Sequence, residues 1–142
     1  MTLIDHRPAL TTQERFPTAD VVICARPESL PAEFMPDEQT VVVVMTHHYE
    51  HDLKLLEILL PLPIRYLGIL GPKSRTRRLL AEIEAAGIEI LPDRIASLHG
   101  PAGLDIGAET PEEIALSILA EIQMALTGRS GRSLKDAAGP IH

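Results

Sequence analysis

The chain has 142 residues, a formal net charge of -7 at pH 7, 45% apolar and 3% aromatic residues, and one cysteine. That length suits one domain burying most of its apolar surface unaided, while the lone Cys24 excludes an internal disulfide and fits a reducing compartment. The acidic balance argues against a nucleic-acid partner and the longest apolar runs, 41–45 and 55–60, are too short to span a bilayer, so a soluble cytoplasmic protein with neither nucleic-acid nor membrane partner is expected.

No signal peptide is visible, because a short apolar run over 2–4 leads directly into Asp5-His6-Arg7-Pro8, which reads as a strand and a turn. A second short buried strand is expected over 21–25, placing Cys24 in inert packing. Pro27, Pro31 and Pro36 hold the next stretch to a loop with at most one helical turn. The clearest strand is Val41-Val42-Val43-Val44-Met45, apolar on both faces as in a parallel sheet covered from both sides. A helix over 50–60 follows, stopped by Pro61 and Pro63; a strand over 65–70 then ends at Gly71.

Pro72 opens the next helix, with Leu79, Leu80, Ile83 and Ala86 inward and Gly87 as its left-handed stop. Residues 88–91 suggest a brief extended piece and 92–98 a short helical turn. The last helix starts at Thr110, with Pro111 at the first position and Glu113 three residues on, a pattern in which hydroxyl and carboxylate satisfy each other's free amides. Ile114, Ala115, Ile118, Ile122, Ala125 and Leu126 form its apolar stripe, expected to lie on a sheet. Periodicity is lost after Thr127, so a domain over 1–127 and a tail over 128–142 are expected.

Strands alternating with helices give an α/β fold with a parallel sheet, right-handed crossovers and ligand-binding loops at the carboxyl ends of the strands. Asp5, Thr46-His47, Gly71 and the glycine loop 103–107 would then share one edge. Asp5 resembles the acidic residue that ends the second strand of a dinucleotide-binding fold, but the usual first strand and glycine-rich turn do not precede it. That strand is central in such a sheet, and its neighbours would be left with unpaired peptide groups. Either another chain fills the gap or the sheet closes differently; a homodimer with exchanged elements is the expectation.

The residues 46–52, Thr-His-His-Tyr-Glu-His-Asp, contain the letters H-x-x-E-H of a zinc-peptidase helix, yet His47 sits at a strand end, where that chemistry fails. Two readings remain: Thr46 and His47 contact a ligand at the strand end, or His48, Tyr49 and His51 form a solvated loop with Asp52 or a neighbour capping the helix. Lys73, Arg75, Arg77 and Arg78 crowd a helix start, where cations oppose the helix dipole. They read either as an anion site, with Gly71 and the first amides holding a phosphate, or as a solvated basic face. Asp105 is open between ligand contact and turn chemistry, and Glu109 reads as structural. Asp5 is a candidate for a ribose hydroxyl.

Thr46-His47 after the valine strand, the segment 66–75 (Tyr-Leu-Gly-Ile-Leu-Gly-Pro-Lys-Ser-Arg) and above all 103–115 (Gly-Leu-Asp-Ile-Gly-Ala-Glu-Thr-Pro-Glu-Glu-Ile-Ala) closely resemble the xanthine dehydrogenase accessory factors, the XdhC/CoxI family. Asp5-His6-Arg7-Pro8 and the ending Gly139-Pro140-Ile141-His142 look like it too. The resemblance covers nearly the whole chain and corresponds to that family's Rossmann-like domain, without the domain and cysteine motif that usually precede it. It implies binding of the molybdenum cofactor and its delivery to an apo molybdenum hydroxylase, with no chemical step required of this chain. Gly71, the amides after it and Arg75 would hold the phosphate, and Thr46, His47, Asp105 and nearby backbone would contact the pterin or nucleotide. Asp5, Arg7 and Gly103 complete the expected binding set. The alternatives are an NAD(P)-binding oxidoreductase domain and a docking module that binds no small molecule.

Overall fold

The computed structural model describes residues 1–30 and 34–136, so Pro31 and the ending 139–142 lie outside the described residues. Among the described residues five short parallel strands and four α-helices follow one another: β1 Thr2–Asp5, β2 Val21–Cys24, β3 Val41–Val44, α1 Tyr49–Leu59, β4 Tyr66–Ile69, α2 Lys73–Ala85, α3 Pro92–Ala96, β5 Leu98–His99 and α4 Pro111–Thr127. The expected α/β architecture of a parallel sheet with flanking helices is therefore present. No helix among the described residues is long and apolar enough to cross a membrane.

The strands form two sheets rather than one. β1 pairs with β2, and β3–β4–β5 form the second sheet, all in parallel. Among the described residues β1 has no partner besides β2, and β3 none besides β4. The carbonyls of Met1 and Asp5 accept from the β2 side and those of Thr40 and Val44 from the β4 side. Because peptide groups alternate sides along a strand, those of Thr2, Ile4, Val41 and Val43 point away from the partner strands. The gap anticipated in the sheet is thus present as two open edges, and the sheet does not close across it.

What joins the two sheets lies at their carboxyl ends. The His6 ring meets the His51 ring edge-on at 4.7 Å between centroids, and the 3-10 turn Pro27–Ser29 after β2 packs on α1. The core belongs to the larger sheet: Val44, Leu56, Leu59, Leu60, Ile64, Leu67, Ile69, Leu79 and Ile83 are buried together between β3–β4 and the α1 and α2 helices. β4, central in that sheet, is buried at all four positions.

Several local expectations change. β5 replaces the end of the helical turn expected over 92–98, while 88–91 forms no strand. Cys24 is exposed, because β2 is an edge strand of a two-stranded sheet and not a covered central one. On α4, Ile118 is buried and Ile114, Ile122 and Ala125 are half-buried as expected of the inward stripe, but Ala115 and Leu126 are exposed. Gly128, at φ 67, ends that helix where the tail was expected to begin.

Candidate functional site

Four polar turns follow the carboxyl ends of β1, β3, β4 and β5, and hydrogen bonds and packing tie them into one rim. After β1, Asp5 folds back on the chain. Its Oδ1 accepts from the Arg7 amide at 2.9 Å and from Nε at 3.0 Å, and its Oδ2 accepts from the guanidinium Nη2 at 2.7 Å. The Arg7 guanidinium holds the Asp5 carboxyl down to about 2. Both Asp5 oxygens are therefore engaged.

After β3 the chain turns through His47, whose φ of 56° is left-handed and strained for a side chain of this size. The turn brings the Thr46 hydroxyl between three groups: it accepts from the His48 amide at 3.1 Å and gives its one proton to the Asp52 carboxylate, with the His48 carbonyl 3.2 Å away. Asp52 does not cap the helix. His48 is the N-cap residue and offers no side-chain bond, while Asp52, only 1% exposed, lies one turn inside α1 and binds the Arg75 guanidinium. Tyr49 and His51 belong to α1 and are half-buried, so of the residues read as a solvated loop only His48 is exposed, as is His47 before it.

Arg75 joins this turn to the one after β4. Gly71 has φ 119°, and a Cβ there would lie 3.1 Å from Arg75 Cδ, so the missing side chain lets Arg75 lie across the turn. Arg75 also stands 5.8 Å from the Tyr49 ring centroid, and its Nε is buried with no hydrogen-bond partner. Two of the four clustered cations are thus paired within the chain, since Arg78 binds Glu82 at 3.0 Å. Lys73 and Arg77 are exposed. α2 starts at Lys73 without a side-chain cap, and the Arg75 amide donates to the Pro72 carbonyl at 2.9 Å, which leaves the Lys73 and Ser74 amides to meet an anion.

The loop after β5 completes the rim. The Ala102 amide donates to the Ile69 carbonyl at 2.9 Å, and a Cβ on Gly100 would strike Thr76 of α2 at 2.5 Å, so the loop is pressed onto β4 and α2. Pro101, Gly103, Asp105, Ile106, Gly107 and Ser117 are among the residues around an open cleft of about 320 Å³. Asp105 is exposed at its edge.

Behind the loop stands a network that sequence reasoning did not identify. Glu121, 8% exposed, accepts from the Tyr66 hydroxyl at 2.6 Å and the Gly103 amide at 2.8 Å, and His99 Nδ1 lies 3.1 Å from its other oxygen. The Tyr66 and His99 rings stack at 4.4 Å. Burial works to raise the Glu121 carboxyl, yet the Tyr66, Gly103 and His99 partners together hold it below its ordinary value. Burial, and then the bond to Glu121, push the Tyr66 phenol up. One signal pointed to this network: a glutamate inside an otherwise apolar helical stripe, between Ile118 and Ile122. Asp52 gave none, because its partner Arg75 lies 23 residues away.

The rim thus sets the Lys73 and Ser74 amides of α2 and an open cleft along the 103–107 loop on the same edge of the sheet. A sequence model of the XdhC Rossmann domain matches residues 1–122. The chain is 42% identical over 118 residues to a Bacillus subtilis strain 168 protein named as a probable xanthine dehydrogenase subunit, covering 83% of this chain and 33% of that protein. It is 34% identical over 99 residues to the uncharacterized protein YqeB of Escherichia coli K12, covering 70% of this chain and 18% of that protein. The crystal structure of a xanthine dehydrogenase from Bacillus halodurans superposes with a TM-score of 0.77 at 36% identity, over 96% of this chain and 37% of that one. The chain therefore spans little more than a third, at most, of these relatives' lengths. Parallel strands, a polar rim at their carboxyl ends and a match over nearly the whole chain agree: this protein belongs to the XdhC family, as its Rossmann domain.

Proposed function

We propose that this domain carries the molybdenum cofactor for maturation of a xanthine dehydrogenase-type molybdenum hydroxylase. The observation that carries the reading is the tied rim. Thr46, Asp52, Arg75 and Gly71 form one connected group, and the 103–107 loop is fastened beside it through Ala102 and Ile69. The residues fit such a group. The Lys73 and Ser74 amides with the Lys73 ammonium meet its phosphate, and Asp105 with the loop backbone meets the pterin edge. When bound, the cofactor supplies the redox chemistry of the enzyme that receives it. This chain binds, orients and releases it, and its partner is the apo-enzyme.

The nicotinamide-nucleotide reading is less well supported by the same rim, since Asp5 has both oxygens on Arg7 and a ribose diol would have to displace that cation. Calorimetry with isolated molybdenum cofactor, NAD and NADP separates the readings. Saturable binding of the cofactor is expected, weakened about tenfold in Lys73→Ala, a change that removes one charge-assisted contact and leaves the Asp52 pair intact. Binding of NAD or NADP alone, lost in Asp5→Ala, would replace the carrier by a nucleotide-binding domain. No ligand, but a stable complex with an apo-hydroxylase, would make the domain a docking module.

A further inference from the structure

A second open cleft, of about 480 Å³, lies away from the rim, toward the amino ends of β4 and β5 and the carboxyl end of α4. Arg65, Asp93, Ser97, His99, Met124 and Arg129 are among the residues that line it. His99 stands there in a fixed pose. Its Nδ1 lies 3.1 Å from the Glu121 carboxylate and its ring stacks on Tyr66 at 4.4 Å, while Glu121, 8% exposed, is anchored in turn by the Tyr66 hydroxyl and the Gly103 amide. A carboxylate that holds one imidazole nitrogen decides where the other one points. Here the other is Nε2, which has no hydrogen-bond partner among the described residues and is not sealed in the core.

The free charge around that nitrogen is positive. Arg65 and Arg129 are exposed, and among the described residues neither has a carboxylate partner. The acid of the cleft, Asp93, is engaged by Arg94 at 2.9 Å. Nor does the end of α4 present bare carbonyls: that of Met124 accepts from the Gly128 and Arg129 amides, and that of Ala125 from Arg65 Nη2 at 3.4 Å. In a chain of net charge -7, two unpaired guanidinium groups and an oriented imidazole therefore converge on one cleft.

We propose that this cleft is a phosphate-binding site distinct from the rim, with Arg65 and Arg129 on the phosphoryl oxygens and His99 Nε2 as their hydrogen-bonding companion. Guanidinium forks match phosphoryl oxygens two at a time. The imidazole selects phosphate over carboxylate. With the Nδ1 proton directed at Glu121, Nε2 accepts in the neutral ring and donates in the imidazolium, so it meets a phosphate monoester through its P–OH or through its oxyanion, whereas a carboxylate near neutral pH brings no hydroxyl. The volume suits a small organic phosphate, and Met124 and Ala125 give its body an apolar wall. The proposal stands apart from what the rim binds.

Titration of the full chain with inorganic phosphate at pH 7 and constant ionic strength tests it, followed by nuclear magnetic resonance at the His99 ring signals, which are assigned by their loss in His99→Gln. A saturable shift is expected, with a dissociation constant on the order of 1 mM, and sodium acetate should bind roughly tenfold or more weakly. Arg65→Ala with Arg129→Ala should weaken phosphate binding about tenfold, with an unchanged far-ultraviolet dichroism spectrum. Arg129→Ala alone leaves the Arg65 contact with Ala125 in place and should weaken it about threefold. Lys73→Ala, on the rim, should leave it unchanged. His99 signals that do not move overturn the proposal, as does an equal shift with acetate, an undiminished shift in Arg129→Ala, or a shift lost in Lys73→Ala.

Discussion

Asp5 shows how far a single side chain departs from its expected part. A carboxylate at the end of a strand in this fold reads as a ribose ligand, but here Arg7, two residues on, encloses it with three hydrogen bonds. The carboxyl lies at about 2, below its ordinary value of 3.8. A depressed acid stabilises the fold fully above its unfolded value and loses that contribution as pH falls through its folded value. The melting-temperature difference between the wild type and Asp5→Asn should therefore be constant above pH 3.8 and vanish toward pH 2. A difference unchanged across that interval would show that the carboxylate is not held by Arg7. Asp52 is the opposite case. Beside three histidines and a glutamate it reads as a helix cap, and only the approach of α2 to α1 buries it against Arg75.

At the scale of elements, α4 and the loop before it form a single device. The capping box at Thr110 was legible because all its partners are local: the Thr110 hydroxyl accepts from the Glu113 amide, and the Glu113 carboxylate accepts from the Thr110 amide. Both Gly103 and Gly107 take the positive φ that the glycines of this loop suggest, and packing adds a second demand at one of them. Gly103 is required by packing, since a Cβ would lie 2.4 Å from Ser117 Oγ at a φ of 112°, whereas a Cβ at Gly107 meets nothing within 4 Å. Gly103→Ala should cost about 2–3 kcal/mol in urea unfolding and Gly107→Ala about 1 kcal/mol, the first combining overlap with strain and the second strain alone. Equal losses would mean that the loop does not rest on α4. β5 was illegible for want of length: two residues cannot show a period.

At the scale of the molecule, the order of strands and helices and the shared edge of four turns followed from alternation and the positions of Gly and Pro. The open edges followed as well, from Asp5 standing where a second strand should end. What the sequence could not convey was the link between the halves, which depends on the rings of His6 and His51 meeting although they stand far apart in the chain. Nor could it tell that α4 would turn two polar residues to the core.

The bare rails of β1 and β3 leave a signature that a deuterium clock can read. Along the valine run, the amides of Val42 and Val44 are latched to β4, while those of Val41 and Val43 face away from it with no strand partner among the described residues. Val41 and Val43 should take up deuterons far faster than their two neighbours, and that odd-even stutter would fade if any extended segment lodged between the halves.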